Sequence, residues 1–108
     1  MNAYTLIPNL PDLIESIQKD SIVSRTVYKD EHVRVILFAF APGEKLSEHT
    51  SSYPAILHFL QGEAAVTLGK EHIDARAGTW VHMAAHLPHR VEAKSEVLML
   101  LTMRVDNR

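Results

Sequence analysis

Histidine is the residue with which this chain could do chemistry. Seven occur in 108 residues and cysteine is absent, so imidazole, the commonest metal ligand and the side chain best suited to proton transfer near neutral pH, has no thiolate competitor. Two histidines stand out by their setting. His49 follows Pro42-Gly43 across a polar loop, where a strand is expected to begin. His89 follows Pro88, which biases the chain towards extended geometry, with Gly78 one short strand earlier.

The remaining histidines read differently. His86 lies in the loop Ala84-Ala85-His86-Leu87-Pro88-His89, where it is either a further ligand on the rim of a site or a solvent-facing loop residue. His82 shares a strand face with Trp80 and reads as a core or interface residue. His32 and His72 flank turns and read as surface. Ser51 could hydrogen-bond a ligand or a bound water, although a neutral hydroxyl is a poor metal donor beside imidazole or carboxylate. Glu44, Glu48 and Glu63 sit on loops or turns, where solvation is the usual fate of a carboxylate. Tyr53, Phe59, Trp80, Met83 and Met99 could line an apolar pocket, with core packing the plainer account of most of them. No nucleophile elbow, phosphate loop or nucleotide fingerprint competes, because four glycines are too few for a phosphate cradle.

The elements that must carry these residues are strands. Apart from a helical turn expected within Leu10 to Gln18, with Pro11 in its first turn, the chain runs in short apolar stretches punctuated by turn residues. Strands are expected at Ser21 to Tyr28, His32 to Ala41, Ala55 to Gln61, Glu63 to Leu68, His72 to Arg76, Thr79 to Met83, Arg90 to Ala93 and Val97 to Arg104. Pro42 to Glu48 reads as a loop, and Gly62 as the hinge of a hairpin. The strand His32 to Ala41 is apolar on both faces, so both need cover. Eight such strands favour an all-β antiparallel jelly-roll sandwich.

Length allows one domain over 1–108, an N-terminal arm over 1–20 and a barrel over 21–104. A net charge of -2 with scattered Lys and Arg argues against nucleic acid as a partner. No stretch approaches the length of a membrane span and no basic leader precedes an apolar run, so a cytoplasmic protein is expected.

Gly43, His49 and Gly62, followed by Gly78 and His89, resemble the two motifs of the cupin family, over roughly Val33 to Met103. The first motif runs Gly, five residues, His-x-His, three or four residues, Glu, six residues, Gly. Here its second histidine falls on Ser51 and its glutamate on Ala55. In the second motif Pro-x-Gly becomes Ala84-Ala85-His86, and the asparagine falls on Ala93. The resemblance is to small single-domain cupins of the conserved-barrel type, with a degenerate first motif. It implies a jelly roll in which His49 and His89 share a divalent metal, one of Zn, Fe, Mn or Ni, with His86 and His58 as candidate additions.

If Ala55 takes the inward place of the glutamate, strand parity turns Leu57 and Phe59 inward and His58 outward, unless a bulge reverses it. The pocket is then walled by Ser51, Ala55, Leu57, Phe59, Met83 and Met99, and is enlarged and apolar for want of the missing ligands. The functions implied are binding of a small molecule with or without the metal, a metal-dependent dioxygenase, isomerase or decarboxylase, or a non-catalytic sensor or interaction module. A homodimer is expected, because a sandwich has one interior and two strands carry apolar residues on both faces.

Overall fold

A computed structural model describes residues 3–106; the first two and last two residues of the expected domain lie outside the described residues. Nine strands follow one short turn of 3-10 helix at Leu10–Leu13: β1 (Ile22–Lys29), β2 (Val33–Phe40), β3 (Lys45–His49), β4 (Ala55–Gln61), β5 (Glu63–Leu68), β6 (Glu71–Arg76), β7 (Trp80–Met83), β8 (His89–Ala93) and β9 (Val97–Arg104). They form two antiparallel sheets, one ordered β1-β2-β9-β4-β7 and the other β3-β8-β5-β6. Two packed antiparallel sheets with crossing connections make the jelly-roll sandwich that the alternation demanded.

Two expectations need correction. The helical turn does not reach Gln18, because only four residues from Leu10 close a helical turn and Ile14 is already extended. The expected loop at Pro42 to Glu48 holds the first four residues of β3, so His49 ends a strand where one was expected to begin. That strand was hidden by a bulge: Leu46 pairs with Val91 and His49 with His89, so β3 spends three steps where β8 spends two. An extra residue breaks the period-two pattern by which a strand is recognised.

The core lies between the sheets. Phe40, Leu57, Phe59, Val66, Val91, Val97 and Met99 are buried together there, each contributing roughly 1.5–3 kcal/mol by taking its apolar surface out of water. β2 is apolar on both sides, as its sequence requires. Phe38 and Phe40 face the second sheet, while Leu37 and Ala39 are wholly buried on the opposite side. The N-terminal arm of the same chain crosses that opposite side. The Arg25 guanidinium donates to the Leu13 carbonyl at 2.9 Å, and Pro11, Ile14 and Ile17 share a wall with Leu98. Among the described residues no helix is long and apolar enough to cross a membrane.

Gly62 shows how tightly the hairpin between β4 and β5 is seated. It has φ of 87°, and a Cβ there would overlap the main-chain carbonyl of Glu96. Left-handed backbone against another backbone leaves room only for glycine.

Candidate functional site

The bulge in β3 does more than hide the strand. Leu46 packs inward on the core, so strict alternation would send Glu48 inward and His49 to solvent. The additional residue reverses this parity, and His49 instead joins His89 in the wall of a cavity between the sheets. The two are register partners on adjacent strands, and their rings lie 4.2 Å apart between centroids, inclined at 60°. Bulges commonly re-aim a side chain in this way beside a binding site.

Each ring is held by the same local bond. His49 Nδ1 is 2.8 Å from the Ser47 carbonyl oxygen, and His89 Nδ1 is 2.9 Å from that of Leu87. A carbonyl only accepts, so Nδ1 must carry the proton in both, and the lone pair of each neutral ring is left on Nε2. This is how ligating imidazoles are commonly oriented by their surroundings. His89 is 8% exposed. Among the described residues no buried side-chain nitrogen or oxygen lacks a partner, so its free Nε2 opens onto the cavity and is not sealed in the core.

The cavity has a volume of about 60 Å³. Ser51 and Tyr53, from the β3–β4 loop, and Ala84 and Leu87, from the β7–β8 loop, form its mouth; Ala55, Met83, Leu101 and Met103 form the facing wall. The Ser51 hydroxyl accepts the Tyr53 N–H at 3.1 Å, which leaves its own proton free to donate. The two loops are tied together by the His86 N–H, which donates to the Ser51 carbonyl at 2.7 Å. His86 adopts φ of 71° to do so, a left-handed conformation that costs a non-glycine residue about 1–2 kcal/mol.

Of the expected pocket residues, Ser51, Ala55 and Met83 line the cavity, whereas Leu57, Phe59 and Met99 do not. The parity was right but the depth was wrong. These three face inward and are buried in the core beneath, where neighbouring hydrophobic side chains fill the space between the sheets. The expectation of an enlarged pocket is corrected accordingly. Leu101 and Met103 were missed, although alternation from Met99 along β9 points both inward. His58 faces outward, paired opposite Trp80 and Leu100, and the bulge in β4 falls beyond it. His86 is exposed, and its side chain does not line the cavity.

The family's usual four-ligand set does not fit these residues. Two imidazoles converge, but among the described residues no three His, Cys, Asp or Glu side chains gather as a metal site. A wider hollow of about 310 Å³ lies beside the N-terminal arm, yet its carboxylates, Glu15 and Glu96, are solvated and it has no imidazole.

One polar cluster lies outside the cavity. His32 Nδ1 meets the Asp106 carboxylate at 2.8 Å, Arg104 Nε donates to the same carboxylate at 3.0 Å, and the Val105 N–H donates to the His32 carbonyl at 2.8 Å. The bond to Asp106 raises the His32 pKa above its ordinary 6.5, and the bonds from His32 and then Arg104 lower that of Asp106. Nearby, the Tyr28 hydroxyl donates to Asp30 at 2.6 Å. That bond, with the N–H groups of His32 and Val33, lowers the Asp30 pKa.

An antiparallel jelly roll with a pair of imidazoles at one end of its interior defines the class of protein: a small single-barrel jelly roll. The chain belongs to the cupin family, whose Cupin domain matches residues 36–103. It is similar to a cupin superfamily protein from Desulfitobacterium hafniense, with 30% identity over 90% of this chain and 88% of that one and a TM-score of 0.83. A conserved protein of unknown function from Streptococcus pyogenes shares 25% identity over 100% of this chain and 92% of that one, also with a TM-score of 0.83. A cupin 2 conserved barrel domain protein from Leptotrichia buccalis shares 26% identity over 89% of this chain and 46% of that one, with a TM-score of 0.82. No curated protein matches the chain.

Proposed function

We propose that this cupin is a binding barrel whose recognition element is the His49–His89 pair, which takes one ion or the polar head of a small, otherwise apolar molecule at the cavity mouth. The observation that carries the reading is the paired Nδ1 bonding. Two imidazoles on adjacent strands spend their donors on main-chain carbonyls and keep both Nε2 lone pairs for whatever enters. The Ser51 proton adds a donor beside them, and the remaining walls are apolar, a combination that suits one polar contact point on a compact ligand. A cavity of about 60 Å³ has room for a few water-sized groups, so a larger molecule would insert its tip and leave its body outside.

This reading is favoured over the metal-dependent dioxygenase, isomerase or decarboxylase because two nitrogens with neither a carboxylate nor a third imidazole make a weak seat for a hard divalent ion. The test is native mass spectrometry and elemental analysis of untagged protein purified without chelator, compared with the His49→Ala/His89→Ala double variant. The expected result is an ion or small molecule that accompanies the parent and is absent from a variant still folded by circular dichroism. A double variant that keeps whatever the parent carries would place the seat elsewhere.

A further inference from the structure

The wall opposite the histidines has a chemistry of its own. Ala55 on β4 is the register partner of Met83 on β7 and of Met103 on β9, so a thioether flanks it on either side, and both line the cavity that His49 and His89 line from the other sheet. Where the cupin motif would supply a hard carboxylate, this chain presents a methyl group between two soft sulfurs.

We propose that His49, His89, Met83 and Met103 form a site for a soft monovalent cation, copper(I), with two imidazole nitrogens from one sheet and thioether sulfur from the other. The proposal rests on the reading of His49 and His89 as the seat and names what that seat selects. Two arguments lead to the same ion. Thioether sulfur is a soft donor that favours Cu(I), and imidazole suits copper too, whereas Mg, Ca and Mn want oxygen. The site is also uncharged: both histidines are neutral when they ligate, both methionines are neutral, and no carboxylate lines the cavity. The cost of placing an ion in such surroundings grows as the square of its charge, so a monovalent ion pays about a quarter of what a divalent one pays. Exposed His49 lies at the open end, where an ion would be handed in or removed.

The experiment is an anaerobic titration of the full chain with Cu(I) against a chromophoric Cu(I) chelator, with Zn(II) titrated in parallel. The parent is expected to take one Cu(I) per chain and to bind it at least about 10-fold more tightly than Zn(II). Met83→Leu/Met103→Leu conserves volume, keeps the fold and should lose at least about 10-fold in Cu(I) affinity, since even a group that only orients a ligand is worth about that much. Met99→Leu is the control, since Met99 is buried on the same inner face but does not reach the cavity, and it should bind as the parent does. X-ray absorption at the copper edge should show sulfur beside nitrogen in the parent and nitrogen alone in the double Leu variant.

Equal Cu(I) affinity in parent and double Leu variant overturns the thioether assignment, and so does Zn(II) binding as tight as Cu(I). In either case loss of binding in His49→Ala/His89→Ala would leave the imidazole seat standing. A parent that binds neither ion overturns the metal site itself, and the search for the seat's occupant then passes to the co-purifying molecule.

Discussion

Replacing Ala55 by Glu restores the residue that the cupin motif places there and asks whether the cavity was read correctly. Ala55 is 5% exposed and lies between Met83 and Met103 in a cavity of about 60 Å³. The added methylene and carboxyl therefore fit, but without a full shell of water. Without metal the carboxyl avoids the cost of a buried charge by staying protonated. Holding a group of reference pKa about 4.3 neutral at pH 7 costs at most about 3.7 kcal/mol. A hydrogen bond from the neutral acid to a free imidazole Nε2 returns about 1 kcal/mol, so the expected loss is about 2–4 kcal/mol. In a domain of this size that lowers Tm by about 10–20 °C.

The pH sign follows from the raised folded-state pKa. The loss vanishes below the unfolded value of about 4.3 and grows as pH rises until the folded-state pKa is passed. Zn, Mn or Ni should reverse it, since a bound cation stabilises the charged form. At 100 times the dissociation constant, binding contributes about 2.7 kcal/mol, or about 10 °C. Melting followed by circular dichroism, with chelator and with each metal, reads both effects. A variant that melts like the parent without metal, or ignores added metal, would show that position 55 does not face the two histidines.

Gly62→Ala should lose at least about 3 kcal/mol, combining left-handed strain of about 1–2 kcal/mol with displacement of the Glu96 carbonyl; urea unfolding reads it, and a loss below about 1 kcal/mol would contradict the packing of that hairpin. For His32 and Asp106 the sign is set by opposite shifts. The raised His32 pKa contributes stability that is present below 6.5 and lost as pH rises through the raised value, while the lowered Asp106 pKa contributes stability present above 3.8 and lost as pH falls through the lowered value. The latch is therefore strongest between pH 3.8 and 6.5, and an NMR titration of Asp106→Asn should return the His32 midpoint towards 6.5. Self-association is expected through the outer face of the five-stranded sheet beyond the arm, where Trp80 is 59% exposed. Light scattering should give a dimer mass for the parent and a lower mass for Trp80→Ser, and a monomeric parent would rule this out.

The fold was legible because its signals are local. Alternation and turn residues located eight of the nine strands, with the bounds of β4, β5 and β9 matching to the residue. The parity argument on β4 placed Ala55 inward and His58 outward, since side-chain direction in a regular strand depends on counting alone. The site was less legible because it depends on departures from regularity. The bulge that turns His49 inward also erased the pattern that would have announced β3. The cavity wall comes from five strands, β3, β4, β7, β8 and β9, and whether an inward residue meets space or another side chain is decided by packing across the sheets. For that reason Leu57 and Phe59 were placed on the right face at the wrong depth, while Met103 went unnoticed on a strand whose register was already in hand.

β3 is an edge strand, bonded only to β8, with largely exposed residues, and it brings one half of the imidazole pair. Such a strand can peel away and return while the rest of the sandwich stays folded, at a free energy well below that of global unfolding. Each excursion dismantles the pair, because His89 stays in the barrel wall and His49 leaves with the strand. Occupancy of the seat and docking of β3 are thus one equilibrium seen from two sides. Whatever bridges the two rings will slow amide hydrogen exchange along Lys45–His49, and whatever loosens that edge will hasten release.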